Sequence, residues 1–226
     1  MDIIARIYTD MPEKFGIPRQ SGLVPELIGR IVFEPPYRDE NAVKGIEGFS
    51  HLWLIWQFSH NIRDKWTATV RPPRLGGDVR MGVFATRSPF RPNPIGLSCV
   101  KLEEVRKGNN GPELIVSGTD MVDGTPIYDI KPYLAYTDSH PEATGGFAEE
   151  YVNYGLDVQI DRNKLLMFKD EQQKALAGIL SNDPRPSYQN DSERIYGLVF
   201  AGYNVRFKVK DKTVSIISCQ PYCKKG

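Results

Sequence analysis

The sequence lacks any long apolar run, and no stretch approaches the ~20 consecutive apolar residues that a membrane span requires. Its first residues, "MDIIARIYTD", contain no basic region followed by an apolar segment, so we expect no secretory signal peptide. Cysteine is also scarce. Three residues cannot build a disulfide framework, which predicts a reducing compartment and a cytoplasmic protein.

Metal-binding spacing is lacking as well. Cys219 and Cys223 in "CQPYC" supply at most half of a structural zinc site, and the three histidines show no paired spacing. We therefore predict free thiols and no metal.

Familiar nucleotide-binding motifs are absent. The chain has no G-x-x-x-x-G-K-[ST] phosphate loop, no G-x-G-x-x-G between a strand and a helix, and no G-x-S-x-G elbow. A Rossmann-type cofactor domain is therefore not expected, and any nucleotide-like ligand must be held in another way. The formal net charge of +1 does not indicate a partner.

What the sequence does contain is an ordinary globular composition with a local excess of positive charge. Its 226 residues, 40% hydrophobic and 25% charged, suit one large domain or a medium domain with a smaller second unit. Seven basic residues lie between positions 63 and 91, against two acidic ones. This basic segment is where we look for an anionic ligand.

The hydrophobic pattern predicts a mainly β protein. Short alternating or β-branched segments separated by Gly, Pro and Asn favour an antiparallel barrel or sandwich; they are "DIIARIY", "LIGRIVF", "FSHLWLIWQF", "VRMGVFAT", "GLSCVKLEEV", "ELIVSGTDMV" and "TPIYDI". Residues 138–155 lose the alternation and are interpreted as a connection. We assign residues 1–150 to the barrel domain.

The last third predicts a small α+β module over residues 156–226. "DEQQKALAGIL" has the periodicity of a helix that Asp170 caps, with Leu176, Ile179 and Leu180 on one face. Two strand-like segments follow, "IYGLVFAGYNVRFKVK" and "TVSIISC", and "KDKT" between them is typical of a hairpin turn.

Residues 82–98, "GVFATRSPFRPNPIGLS", combine three prolines with Arg87 and Arg91. Each proline fixes its own φ and restricts the residue before it, so the loop has little conformational freedom to lose on binding. Each guanidinium can bind a carboxylate or phosphate through two parallel hydrogen bonds. The alternative is a stiff barrel rim with solvated arginines, and the residues alone leave both interpretations open.

Five segments follow one another along nearly the whole chain: "IPRQSG", "TVRPPRLGG", "MGVFATRSPFRPNPIGLS", "VDGTPIYDIKPYL" and "DPRPSY". In sequence and in order they resemble the TsaA/TrmO family of S-adenosylmethionine-dependent tRNA adenosine N6-methyltransferases. The resemblance implies a small antiparallel β-barrel outside the Rossmann methyltransferases. It also implies a homodimer with the cofactor near the dimer interface.

The resemblance also implies a set of S-adenosylmethionine contacts. Carried onto this sequence they are Gln20, Ser21, Gly22, His60, Asn61, Arg87, Leu97, Ser117, Gly118, Thr119 and Asp120. An arginine among these residues agrees with the charge of that cofactor, because a guanidinium can bind its anionic carboxylate. Without the family, Asp120 would be interpreted as a turn residue at a strand end, and His60 as a packed or surface histidine.

Family members methylate N6 of the adenosine next to the anticodon, after that nitrogen has received a threonylcarbamoyl group. The nitrogen must lose a proton, and Asp123 and Asp129 are the candidate bases, with Lys131 as a phosphate or carboxylate contact. The alternative for Asp123-Gly124 is a plain hairpin turn.

The predicted partner is the anticodon stem-loop of tRNA, bound through Arg91, Arg185, Tyr188 and Arg206. The alternative for "DPRPSY" is a turn that ends a helix. Two other functions stay open, a barrel that binds RNA or a ligand without catalysis, and a methyltransferase for another substrate.

Overall fold

The fold is described from a computed structural model that covers residues 1–61, 65–76, 78–186, 189 and 191–223, without the side chains of Asn61 and Arg162. Twelve strands and two α-helices occur in these ranges. The strands are β1 Ala5–Thr9, β2 Ile28–Phe33, β3 His51–Gln57, β4 Thr69–Val70, β5 Met81–Gly82, β6 Ile95–Gly108, β7 Gly111–Ser117, β8 Thr125–Pro132, β9 Asp157–Gln159, β10 Tyr196–Phe200, β11 Tyr203–Lys210 and β12 Thr213–Pro221. The helices are α1 Ala135–Asp138 and α2 Asp170–Ser181.

Short 3-10 helices lie in the connections of the same described ranges. They are Pro35–Tyr37, Glu40–Val43, Ile46–Gly48, Ser59–Asn61, Pro73–Leu75, Val83–Ala85, Gly146–Tyr151 and Arg162–Leu165. No helix in the described part of the chain is both long and apolar enough to cross a membrane.

Six strands close into an antiparallel barrel in the order β1-β2-β7-β6-β3-β8, which confirms the predicted barrel. Strand β3 shows why the chain folds this way. Its residues alternate, so Leu52, Leu54 and Trp56 are buried inside the barrel while the residues between them face outward. Closure leaves no unpaired sheet edge.

One end of the barrel interior is filled by an indole ring lying over a glycine. A Cβ atom added to Gly96 would lie 2.2 Å from the ring of Trp56, so only glycine allows this approach. The ring is thereby fixed with its Nε1 2.9 Å from Ser98 Oγ, to which it donates. This contact leads directly into the candidate site.

The strand predicted over "VRMGVFAT" is much shorter than the sequence pattern indicates. Only Met81–Gly82 is paired, with Thr69–Val70, and the chain then turns through Val83–Ala85. The hydroxyl of Thr86 donates to the carbonyl of Val83 at 2.9 Å, which stabilises the turn instead of a continued strand.

The second unit is a four-stranded sheet in the order β10-β11-β12-β9, with β9 parallel to β12. The predicted "KDKT" turn is confirmed, since Asp211 and Lys212 join β11 to β12 with φ values of 50° and 63°. The long segment that precedes it is two strands, β10 and β11, joined at Ala201 and Gly202.

Helix α2 packs against this sheet through the predicted face, because Leu176, Ile179 and Leu180 are buried. The predicted cap is off by one position. Lys169 occupies the N-cap and donates its backbone N–H to Gln172 Oε1 at 3.1 Å, so Asp170 is the first helical residue.

The hydrophobic core around α2 includes residues from the start of the chain. Met11, Val24 and Leu27 are buried in it, although they lie between β1 and β2 of the barrel. A Cβ atom at Gly178 of α2 would approach Val24 to 2.9 Å. Residues 11–27 therefore connect the barrel to the second unit, and the candidate site lies on this segment.

Candidate functional site

A cleft of about 1170 Å³ opens at the barrel end that Trp56 fills. We call this cavity the cleft. Its walls come from residues 14–20, the end of β3 with Phe58–His60, residues 67–74 with Arg80, residues 86–91 and the start of β6. Asp120 lies in its wall, and Phe147 reaches it from the connection after α1.

Asp120 is the central polar group of the cleft. Its Oδ1 accepts from Ser98 Oγ at 2.6 Å, and Ser98 in turn accepts from the Trp56 indole. Burial raises the pKa of Asp120 from 3.8 to about 6, against the opposing effect of the Ser98 hydrogen bond. A partly desolvated carboxylate with a raised pKa is suited to meeting a cationic or hydroxyl group of a ligand.

The segment after Arg19 is fixed to the strand end beside Asp120. The N–H of Gly22 donates to the carbonyl of Gly118 at 2.8 Å, and Ser21 Oγ accepts from the N–H of Cys99 at 3.1 Å. Gly118 has a φ of 74°, and a Cβ there would come within 3.2 Å of the Gly22 Cα. The predicted residues 20–22 and 117–120 are thus neighbours in the fold.

Other predicted cofactor residues also line the cleft. Arg87 Nη1 donates to Gln20 Oε1, and the side chain of Leu97 is 57% exposed. His60 lies at the edge, where its carbonyl accepts from Lys14 Nζ. Asn61 ends the adjacent 3-10 helix, and its side chain is outside the described atoms.

Two predicted residues lie behind the cleft and support its wall. Ser117 is buried and donates through its hydroxyl to Glu103 Oε1 at 2.6 Å. Thr119 is also buried, and its N–H donates to the carbonyl of Leu27 at 3.3 Å. Neither side chain lines the cleft. Because both are held from behind, they fix the backbone on which Gly118 and Asp120 stand.

The structure separates the two arginines of the proline-rich loop. Arg91 Nη1 donates to the carbonyls of Thr86 at 2.7 Å and Ser88 at 3.4 Å, so it holds the loop in shape. Arg87 is exposed and projects toward Gln20. Both line the cleft. Contact of Arg91 with tRNA stays a prediction.

The three proposed catalytic residues do not line the cleft. Asp123 Oδ1 accepts from the N–H of Thr9 at 2.9 Å within a turn closed by Thr125 N–H to the Val122 carbonyl. The turn is not the hairpin of the alternative interpretation, because the strands on either side of it, β7 and β8, are not paired with each other. Asp129 and Lys131 form an exposed ion pair of 2.8 Å on β8. Their strand is paired with β3, where Trp53 opposite Lys131 lines the cleft, so the pair flanks the cleft without entering it.

The predicted tRNA contacts of the second unit differ in exposure. Arg185 is 7% exposed and forms an ion pair of 2.9 Å with Asp183, whose other oxygen accepts from Tyr154 at 2.8 Å. This geometry gives Arg185 an internal role, because its guanidinium is already paired and hydrogen-bonded. Arg206 is exposed on β11. Tyr188 lies outside the described residues.

Sequence reasoning did not single out Arg19, Arg71 and Arg74, which line both the cleft and an adjoining cavity of about 820 Å³. Arg19 Nη2 donates to the carbonyls of Asp183 and Arg185, whereas its buried Nη1 lacks a hydrogen-bond partner within the described residues. Burial and the nearby Arg74 lower the pKa of Arg19 to about 10. Arg19 belongs to the motif "IPRQSG", which the sequence shows, but the sequence does not reveal that this arginine is largely buried.

These groups fit a ligand that carries both an anion and a cation. The unpartnered Arg19 nitrogen and Arg87 can receive a carboxylate, and Asp120 can receive an ammonium or ribose hydroxyl. Aromatic rings of Trp53 and Phe58 line the same space and suit a sulfonium. Among the described residues, no group of three or more His, Cys, Asp or Glu side chains is arranged to hold a metal ion.

The described residues form a closed antiparallel barrel with a charged cleft at one end, which differs from a Rossmann sheet. Residues 6–139 match the family model of the tRNA-methyltransferase O N-terminal domain, and residues 157–222 match the TrmO C-terminal domain. Because these models cover most of the chain, the protein belongs to the TrmO family.

Individual relatives agree with this assignment. The chain is 40% identical over 226 residues to the tRNA (adenine(37)-N6)-methyltransferase of Escherichia coli, covering 96% of each chain. It is 40% identical over 194 residues to RcsF of Pseudomonas aeruginosa, named as a candidate S-adenosylmethionine-dependent methyltransferase, covering 82% of each. A crystal structure of TrmO from Pseudomonas aeruginosa superposes with a TM-score of 0.77 at 31% identity, covering 97% of this chain and 95% of that one.

Proposed function

We propose that this protein is a tRNA (adenine(37)-N6)-methyltransferase. It moves a methyl group from S-adenosylmethionine to N6 of threonylcarbamoyladenosine next to the anticodon. Membership of the TrmO family over nearly the whole chain supports this function. The observation that carries it is the cleft, in which residues of the family motifs meet around Asp120 and Arg87.

We assign the cofactor to the cleft. S-adenosylmethionine supplies a methyl group made electrophilic by the sulfonium. The proposed contacts are Gln20, Ser21, Gly22, His60, Asn61, Arg87, Leu97 and residues 117–120, of which Gln20, His60, Arg87, Leu97 and Asp120 line the cleft. Arg87 binds the carboxylate, and Asp120 accepts from the amine or a ribose hydroxyl. The hydrogen bond from the Gly22 N–H to the Gly118 carbonyl holds the two backbone segments together, and a Cβ at Gly118 would lie 3.2 Å from the Gly22 Cα.

Placement of the two reactants supplies much of the acceleration, because the transfer is an in-line displacement. The proline-rich loop, held by Arg91, restricts the position of Arg87 before the ligand arrives. The N6 proton is made more acidic by the acyl group. Asp129 beside Lys131 flanks the cleft and stays our candidate acceptor, together with Asp123, whose carboxylate is engaged by Thr9.

The division of labour follows the chain. Residues 1–150 bind the cofactor, and residues 156–226 help bind the anticodon stem-loop, where exposed Arg206 and also Tyr188 are the candidates. Arg185 acts there by holding its loop through Asp183. We further propose a homodimer in the cytoplasm, with the exposed barrel face around Leu97 near the contact between copies.

Two measurements test this function. Mass spectrometry of anticodon-loop digests from cells lacking and regaining the gene should show N6-methyl threonylcarbamoyladenosine disappear and return. An unchanged nucleoside would refute the substrate. Calorimetry with S-adenosylmethionine should show binding to the pure protein. No binding would favour a barrel that binds RNA without catalysis.

A further inference from the structure

Two large aromatic side chains beside the cleft face solvent. Trp66 is 51% exposed and Phe84 is 72% exposed, and their ring centroids lie 6.2 Å apart with planes at 30°. We call them the aromatic pair. Backbone pairing brings them together, because Val83 N–H donates to the Ala68 carbonyl at 2.9 Å beside β4 and β5. So much exposed ring surface indicates a contact with another molecule.

The surroundings of the aromatic pair are cationic. Besides Arg19, which donates to carbonyls of the second unit, five arginines line the adjacent cleft: Arg71, Arg74, Arg80, Arg87 and Arg91. None of them forms an ion pair with an acidic residue in the described ranges. The guanidinium of Arg91 lies 5.9 Å from the centroid of the Phe84 ring. The pair is therefore attached to an area of uncompensated positive charge.

These two properties together identify the chemistry of the partner. A symmetric contact centred on the aromatic pair would bring like-charged arginines against each other, which opposes a contact between copies at the pair itself, as distinct from the one proposed around Leu97. A single-stranded nucleic acid supplies what both features require, since its bases have flat faces that stack on aromatic rings and its phosphates are anionic.

We propose that the aromatic pair stacks on unpaired bases of the RNA substrate beside the reacting adenosine, while the neighbouring arginines neutralise its phosphates. This inference rests on the proposed function, because the reacting base must enter the same cleft. The pair would then hold the anticodon loop open at the entrance, so that one base is presented to the cleft and its neighbours stay stacked outside.

The test compares Trp66→Ala and Phe84→Ala with ring-keeping variants Trp66→Phe and Phe84→Tyr. Tyr136→Ala is the matched control, because Tyr136 is 88% exposed and does not line the cleft. The probe is an anticodon stem-loop RNA carrying threonylcarbamoyladenosine. We expect each alanine variant to bind it about ten-fold more weakly, with a higher KM for tRNA. The ring-keeping variants should recover most of the affinity, and the control should match the unchanged protein.

Binding of S-adenosylmethionine, measured by calorimetry, should be unchanged in all variants. RNA affinity equal to that of the unchanged protein in both alanine variants would overturn the proposal. So would a fall in molar mass by light scattering that accompanies the lost affinity, since the pair would then join two copies of the chain. If the unchanged protein methylates no tRNA, the proposed function fails, but stem-loop affinity across the variants still decides the role of the pair.

Discussion

At the scale of single residues, the cleft depends on a few charged groups whose surroundings set their chemistry. Asp120 and Arg87 both border the cleft, yet one is partly desolvated and the other is exposed. The sequence places both in motifs but gives no measure of either environment. Predictions at this scale therefore follow from burial and contacts.

Replacing Arg87 with Ala should weaken S-adenosylmethionine binding by about ten-fold or more, because a charge-assisted hydrogen bond of ~1.5–3 kcal/mol is lost. Isothermal calorimetry measures the change. Arg30→Ala is the control, since Arg30 is paired with Glu113 on the barrel and does not line the cleft. Equal affinity in the two variants would remove Arg87 from the cofactor site.

The raised pKa of Asp120 predicts two pH effects of opposite sign. Because the folded value, about 6, lies above the ordinary 3.8, the folded chain holds this proton more tightly than the unfolded chain. Lowering the pH from 7 toward 4 should therefore add stability through this group. The same protonation removes the carboxylate charge, so cofactor affinity should fall as the pH drops through 6.

Asp120→Asn separates these effects from other titrations. The variant should lose both pH dependences, in thermal melts of the free protein and in calorimetry with S-adenosylmethionine. If the variant keeps the decline in affinity near pH 6, a different group is responsible for it.

At the scale of elements, the loop from "DPRPSY" shows where burial changes a prediction. The sequence suggests an exposed arginine that contacts phosphate, whereas Arg185 is buried and paired with Asp183. The proline spacing and the charge of "DPRPSY" are the same whether its arginine is exposed or buried. Only the three-dimensional neighbours, including Tyr154 from the connection before β9, distinguish them.

Arg185→Ala should therefore destabilise the protein by about 3 kcal/mol, because it leaves the buried carboxylate of Asp183 without its partner. Urea unfolding measures this loss. The control is Arg106→Ala, whose exposed pair with Glu104 should matter little. A fully stable Arg185→Ala variant with a reduced salt dependence of tRNA binding would restore the phosphate contact.

The barrel strands were predictable where one face is buried, as in β3, since alternation records burial directly. The strand at "VRMGVFAT" was not, because Thr86 and the Ala68 carbonyl draw the chain into a turn after two residues. Local hydrogen bonds of this kind leave no periodic signal. The same turn exposes Phe84, so the aromatic pair could not be inferred from the pattern.

At the scale of the whole molecule, the sequence was enough to predict the barrel and the family, and it grouped residues 20–22 with residues 117–120, which are neighbours in the fold. It was not enough to show that Arg19 lies against the second unit, where it donates hydrogen bonds to the carbonyls of Asp183 and Arg185. That contact spans about three quarters of the sequence. A single sequence without homologues carries no record of such distant pairing.

Residues 11–27 belong to two neighbourhoods at once, since Met11, Val24 and Leu27 are buried with α2 while Gln20 lines the cleft. A fragment ending at residue 150 would leave those three apolar side chains in water. The second unit therefore covers these side chains and, through residues 11–27, supports the position of Gln20 at the cleft. Exchanging the second unit between distant relatives should therefore give an unstable protein unless residues 11–27 are exchanged with it.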